Sequence, residues 1–142
     1  MKHWVFIALF ICNVPLCAQE IHSENIFIEY EDTPLRYNKK LRVNIDGGFN
    51  DSIYIFINNH LIRRDIYITD KSLGVTGKFI EIKVSANMTP KIMMIKCVHS
   101  PAVFEMVLDW RYKNLHISKY KTVNDSSIKW FIRYKNKSLI TE

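Results

Sequence analysis

The sequence predicts an all-β domain, an antiparallel β-sandwich of immunoglobulin-like type with about eight strands. Apolar residues recur at every second position, which is the period of a strand with one buried face rather than that of a helix. The alternating runs occupy positions 26–30, 41–45, 53–57, 66–68, 80–84, 104–108, 115–117 and 128–134. A small closed β-barrel would show the same pattern and is the alternative fold.

Residues typical of turns separate these runs. They are Thr33-Pro34, Asp46-Gly47-Gly48, Asn58-Asn59, the segment from Gly74 to Gly77, Thr89-Pro90, Ser100-Pro101 and Asn124-Asp125-Ser126. Because asparagine tolerates left-handed backbone angles, Asn58-Asn59 predicts a hairpin between residues 52–58 and 61–69. The second of these segments would also suit a helical face, so its assignment depends on the turn.

Two segments are apolar on both faces of the expected strand. Within residues 53–57, the isoleucines lie on one face of the strand, and Tyr54 and Phe56 lie on the opposite face. Residues 92–95 form a continuous apolar run. Strands that are buried on both faces have this composition. We therefore expect both segments to be central strands that are covered on both sides.

The N-terminus has the order of a secretory signal. Lys2 precedes an apolar run from Trp4 to Cys12, and Ala18 offers a small residue for cleavage. We expect residues 1–18 to be a signal peptide and residues 19–142 to be a single β-sandwich domain beginning at Gln19. A lipid anchor on Cys17 is the less favoured alternative, because Leu16 stands where lipoprotein signals have a small residue.

Charge and cysteine content restrict the exported domain. The chain carries a net charge of +6, of which Lys2 leaves with the signal, so the domain is mildly basic at +5. It would retain one cysteine, Cys97, which cannot form an internal disulfide. We expect this thiol to be buried in a strand and unreactive.

The common catalytic and metal-binding patterns are missing from the sequence. The histidines are dispersed, and Cys97-Val98-His99 supplies at most two metal ligands, with no third ligand indicated. The sequence contains no Gly-x-Ser-x-Gly motif and no phosphate-binding loop. We therefore expect no metal, no cofactor and no catalytic residues.

The strongest candidate surface is a repeated basic and aromatic segment. Arg111-Tyr112-Lys113-Asn114 recurs as Arg133-Tyr134-Lys135-Asn136. If both segments are strands of one sheet, Arg111, Lys113, Arg133 and Lys135 form one ligand-facing surface, while Trp130, Ile132 and Tyr134 point into the core. The alternative is that these cations are simply solvated outer faces of strands.

These observations predict a secreted or periplasmic, non-enzymatic module that binds a protein or an acidic glycan. Nucleic acid is not an expected partner of an exported chain, and the exported domain has no segment of transmembrane length. Two alternatives are a small exported hydrolase and a structural subunit of an envelope assembly that joins its neighbours by strand addition.

Overall fold

The structure of this chain, a computed structural model, describes residues 25–84, 90–100 and 102–137. Nine strands account for the regular structure of these ranges. They are β1 (Ile26–Tyr30), β2 (Lys40–Ile45), β3 (Asn50–Ile57), β4 (His60–Ile68), β5 (Lys78–Lys83), β6 (Ile92–Cys97), β7 (Val103–Val107), β8 (Asn114–Lys121) and β9 (Ile128–Lys135). The predicted signal peptide, its cleavage site before Gln19 and the alternative lipid anchor at Cys17 lie outside the described residues.

The strands form the two layers of a β-sandwich, which confirms the predicted fold class. One sheet has five strands in the order β1-β9-β8-β2-β5, and the other has four in the order β4-β3-β6-β7. Of the seven strand pairs in the described ranges, five are antiparallel, whereas β1 pairs with β9 and β2 with β8 in parallel. Turn residues predict hairpins between consecutive strands, but parallel neighbours are distant in sequence and leave no comparable local signal.

The hairpin predicted from Asn58-Asn59 is confirmed. Asn58 and Asn59 have φ angles of 48° and 65°, so the two-residue turn uses the left-handed region that asparagine tolerates. The following segment is β4, and the helical alternative for it is therefore wrong. The register with β3 shifts between Ile55 and Phe56, where a bulge absorbs one residue of β4.

The core lies between the inner faces of the two sheets. Trp130 of β9 stacks on Phe104 of β7 with ring centroids 4.9 Å apart, and these contacts tie the layers together. Ile132 and Tyr134 continue the same buried face, as predicted. Aliphatic and aromatic side chains together fill the volume between the layers. Because successive residues of a strand point to opposite faces, every second residue lies on an outer face.

One expectation about the core is wrong. The segments 53–57 and 92–95 do lie in central strands, because β3 and β6 are the inner pair of the four-stranded sheet. Their inner faces are buried, but Ile92 is 42% exposed on the outer face, where Tyr54, Phe56 and Met94 are only half-buried. A strand that is apolar on both faces has the same sequence whether or not a further layer covers it. No element of the described ranges forms such a layer.

Candidate ligand-binding groove

A shallow groove of about 690 Å³ runs over the outer face of the five-stranded sheet. Side chains of β1, β8 and β9, together with Asp46 at the end of β2, line it. Its lining includes Phe27, Asp46, His116, Ser118, Tyr120, Lys129, Phe131 and Arg133. They reach this face because their strand neighbours, among them Ile117, Trp130 and Ile132, are turned into the core. We call this feature the sheet groove.

Three aromatic rings form the apolar part of the sheet groove. Phe27 and Phe131 are partners in the β1–β9 pair, and their rings stack with centroids 5.1 Å apart. Tyr120 of β8 meets Phe131 edge to face at 5.2 Å. Each ring remains 43–53% exposed, so the cluster presents aromatic surface to solvent instead of closing a core. Exposed and mutually supported aromatic rings of this kind are suited to stacking against a ligand.

An acid–imidazole pair lies in the same groove. Asp46 directly follows β2, whose parallel pairing with β8 brings it beside His116. His116 Nδ1 lies 2.8 Å from Asp46 Oδ2, and the imidazole side chain is only 12% exposed. The bond uses one ring nitrogen and leaves Nε2 for another hydrogen bond. The pair can therefore orient a polar group of a ligand. A histidine held by a carboxylate also acts as a base when a nucleophile lies within hydrogen-bond reach.

Cationic side chains complete the groove. Lys129 Nζ lies 6.0 Å from the centre of the Phe27 ring, and Arg133 projects from β9 opposite His116. Arg133 Nε is held between Glu29 at 3.0 Å and Glu31 at 2.9 Å. These pairs are exposed and hence weak, so an anionic ligand can compete for the guanidinium.

The four cations that the sequence groups together lie in two different settings, one pair on β9 and the other in the turn before β8. Arg133 and Lys135 share the outer face of β9, but Lys135 Nζ is paired with Glu31 at 2.7 Å. Arg111 and Lys113 precede β8, which begins at Asn114, so the expectation that their segment is a strand is wrong there. The buried ring of Tyr112 and an exposed ion pair between Arg111 and Asp109, at 2.7 Å, belong to this turn. Hydrogen bonds from Arg111 hold the pKa of the Asp109 carboxyl below its usual range.

Sequence reasoning missed the stacked Phe27 and Phe131 rings and the His116–Asp46 pair. Phe27 and Phe131 are adjacent only because β1 pairs in parallel with β9, and the His116–Asp46 contact depends in the same way on the β2–β8 pair. One signal was available in the alternation of each strand, because Phe131 and His116 stand between residues that are expected in the core. That alternation indicates exposed aromatic and imidazole groups, but it does not reveal their neighbours.

The remaining residue that sequence reasoning examined for chemistry, Cys97, is buried as expected. Burial raises the pKa of its thiol, an effect that the nearby Lys119 ammonium partly opposes. His99 does not form a pair with this thiol; its backbone N–H instead donates to the Asp51 carboxylate at 3.0 Å. Among the described residues, no three histidine, cysteine or carboxylate side chains cluster as metal ligands would.

Comparison with known proteins yields no relative. The chain matches no protein-family model, no curated protein and no solved structure. Within the described ranges, no helix is long and apolar enough to cross a membrane. Any functional conclusion therefore rests on the chemistry of the residues themselves.

Proposed function

We propose that this chain is an exported, non-enzymatic binding module whose sheet groove recognises an acidic glycan. The observation that carries the proposal is the exposed cluster of Phe27, Phe131 and Tyr120 beside two cations. The signal-like order of residues 1–18 supports export, which would place the groove where extracellular or envelope polysaccharides occur.

Each part of the sheet groove suits one feature of such a ligand. The C–H face of a sugar ring packs against aromatic surface, which Phe27, Phe131 and Tyr120 together present to solvent. Lys129 and Arg133 can bind carboxylate or sulfate groups. The His116–Asp46 pair can bond a hydroxyl group, since hydroxyls both donate and accept. The mild positive charge of the domain adds a general attraction for polyanions.

The test is titration calorimetry of the purified chain with a heparin oligosaccharide and with a neutral glucan of equal length. We expect the heparin oligosaccharide to bind, with affinity that falls as salt rises, and the neutral glucan to bind far more weakly. Replacing Phe131 with alanine should weaken binding by about tenfold, because a stacking contact on the order of 1–3 kcal/mol is lost.

Phe79→Ala is the matched control for Phe131→Ala. Phe79 also lies on the outer face of the five-stranded sheet and is also 43% exposed, but it lies outside the groove under the guanidinium of Arg42. Its removal should leave heparin affinity unchanged. Equal losses in the two phenylalanine variants, or no binding by the unaltered chain, would contradict the proposal and leave a protein ligand as the alternative.

The hydrolase alternative draws on the same groove. His116 and Asp46 have the geometry of a base and its orienting carboxylate. Ser118 is the nearest hydroxyl along the strand face, but its Oγ bonds the Gly47 N–H at 3.4 Å, and no bond joins it to His116 in the described ranges. Hydrolysis of a chromogenic ester, abolished by His116→Ala, would favour the hydrolase, because a histidine base with an orienting carboxylate serves acyl transfer. Binding without product release supports the binding module.

A further inference from the structure

The outer face of the four-stranded sheet is an apolar surface on the side of the molecule away from the sheet groove. Its apolar members are Tyr54, Phe56, Leu61, Ile66, Ile68, Ile92, Met94, Val103 and Val107. The exposed ones range from 37% at Val103 to 61% at Ile68. We call this surface the outer apolar face.

An antiparallel sheet with a solvated outer face normally alternates apolar and polar residues. Here β3 and β6 instead carry apolar residues on both faces, a composition suited to strands packed between two layers. Apolar patches of a few hundred Å² on small domains are often functional, and protein association is one of their uses.

Three charged side chains accompany the outer apolar face, and all lack an ion-pair partner in the described ranges. Arg64 lies over the Tyr54 ring at 5.3 Å, and Lys96 lies over the Phe56 ring at 5.6 Å. Glu105, on β7, is the register partner of Met94. The face therefore holds unpaired groups of both signs, cations on β4 and β6 and a carboxylate on the opposite edge strand.

The register arranges these residues in rows across the sheet. One row runs Arg64, Tyr54, Lys96 and Val103 from β4 to β7, and the next runs Leu61, Phe56, Met94 and Glu105. Aromatic residues lie on one side of the central line between β3 and β6, and Met94 and Lys96 lie on the other.

We propose that the outer apolar face binds a second copy of this chain in a symmetric dimer. A 180° rotation about an axis that is parallel to the strands and lies midway between β3 and β6 generates the second copy. The outer apolar faces of the two copies then pack against each other. Phe56 then faces Met94 of the second copy, and Tyr54 faces Lys96 of the second copy. Sheets packed face to face keep their strands aligned to within about 30°, which this rotation satisfies.

Charge complementarity selects a second copy as the occupant. The same rotation places Arg64 over Val103 of the second copy and Leu61 over its Glu105. Glu105 is one row away from Arg64, a distance that the long arginine side chain can span diagonally. The symmetry repeats this pair, so both unpaired carboxylates meet a guanidinium. The Lys96 ammonium, which already lies over the Phe56 ring of its own copy, then also faces the Tyr54 ring of the second copy.

The size of the face indicates a weak, reversible dimer. Four strands spaced about 4.8 Å apart and about five residues long at about 3.3 Å each span roughly 19 by 17 Å. That footprint is small beside the ~800 Å² that each partner of a standard interface buries. Association is therefore expected to depend on concentration.

Sedimentation equilibrium of the purified chain over a wide concentration range tests the proposal. We expect a reversible monomer–dimer equilibrium. Arg64→Glu and Glu105→Arg should each raise the dimer dissociation constant by about tenfold, because each change brings two like charges within reach of each other across the interface. The double variant restores opposite charges and should recover most of the affinity. Met94→Glu should abolish the dimer, with the melting temperature confirming that each variant is folded.

Glu81→Arg is the control, since it reverses an exposed carboxylate on the other sheet and should leave the dimer intact. A chain that stays monomeric throughout would overturn the proposal and indicate that undescribed parts of the chain or a different partner cover the face. A dimer that is indifferent to the Arg64, Glu105 and Met94 variants would assign association to another surface and also overturn it. Failure of the double variant to recover would show that Arg64 does not reach Glu105 of the second copy and would overturn this arrangement of the dimer. Glycan binding is measured at the other sheet, so failure of either proposal leaves the other standing.

Discussion

Lys119 Nζ lies 3.3 Å from the Sγ of Cys97, and both side chains are buried between the sheets. Lys119 occupies an inward position of β8, in line with Leu115 and Ile117, and its ammonium also lies 5.1 Å from the Phe49 ring. A thiol is a poor acceptor for a buried cation, and an aromatic face replaces little of its hydration. This arrangement satisfies the charge weakly.

We therefore predict that Lys119→Met leaves stability unchanged or raises it. Methionine keeps the apolar length of the side chain and removes the cost of burying a charge, which is on the order of several kcal/mol before the contacts of the ammonium offset it. Urea denaturation, analysed for the free energy of unfolding, measures the effect. A loss of more than about 2 kcal/mol would show that the ammonium makes a stronger contact than the thiol and the ring provide.

The thiol of Cys97 should react slowly in the folded protein. Burial raises its pKa, so little of the nucleophilic thiolate is present near neutral pH. Labelling by a thiol reagent is expected to follow unfolding, accelerating sharply in urea. Cys97→Ser should change stability by no more than about 1 kcal/mol and leave glycan binding intact, because the cost of burying the hydroxyl is offset by its hydrogen bond with the Lys119 ammonium. Rapid labelling without denaturant would count against a purely structural thiol.

A side-chain clamp protects the edge of β4, and its loss should promote aggregation. Asp65 accepts a hydrogen bond from the Ile66 N–H at 2.8 Å, and Lys78 Nζ donates to the Ile66 carbonyl at 2.6 Å. Lys78 and Asp65 are themselves paired at 3.0 Å. The clamp satisfies the N–H and the carbonyl of Ile66 at the unpaired edge of β4, where a strand of another molecule would otherwise form hydrogen bonds. Asp65→Asn and Lys78→Met should therefore increase light scattering on prolonged incubation, whereas Lys40→Met, which removes an exposed pair on the other sheet, should not.

The clamp should also fail in acid. The hydrogen bond from Lys78, and then that from the Ile66 N–H, hold the pKa of Asp65 below its usual range. A lowered pKa contributes stability that is fully present above the unfolded-state pKa and is lost as pH falls through the lower, folded value. Scattering by the unaltered chain should rise at acid pH and that of Asp65→Asn should change less. An equal pH response in the two proteins would show that other carboxylates dominate.

Two glycines with the same backbone conformation should respond very differently to alanine. Gly48 and Gly74 have φ angles of +82° and +71°. A Cβ on Gly48 would lie 1.5 Å from the Lys119 carbonyl oxygen, which belongs to the backbone of β8, whereas one on Gly74 would meet no atom within 4 Å. Gly74→Ala should cost about 1–2 kcal/mol of backbone strain. Gly48→Ala should cost several times more, or prevent folding, as thermal melting of the pair would show. Similar melting temperatures for the two variants would mean that β8 can move away.

The sequence-predicted cations can be tested against one another. Arg133 lines the sheet groove, whereas Arg111 lies in the turn before β8 and pairs with Asp109. We predict that Arg133→Ala lowers retention on a heparin column and that Arg111→Ala does so much less, with melting temperatures unchanged. The double variant should resemble Arg133→Ala. A comparable loss from each single change would instead support the larger four-cation surface that the repeated segment suggests.

Local pattern determined much of the fold. The alternation of apolar residues fixed which side chains of β9 enter the core, because a strand places successive residues on opposite faces. Asn58-Asn59 determined the β3–β4 hairpin, since its left-handed angles suit few other residues. These features depend on neighbours within a few positions, so the sequence alone determined them.

Tertiary structure decided which strands became neighbours, and with them the candidate sites. Ile26 pairs with Trp130 across most of the domain, and this parallel contact creates the stacked Phe27 and Phe131. The same pairing brings Glu29 to Arg133 and reduces the free charge that the repeated segment suggested. Period-two alternation specifies a face but not the strand beside it, because every amphipathic strand presents the same backbone hydrogen-bonding groups at its edges. Only the packing of the two sheets into one core selects among those edges.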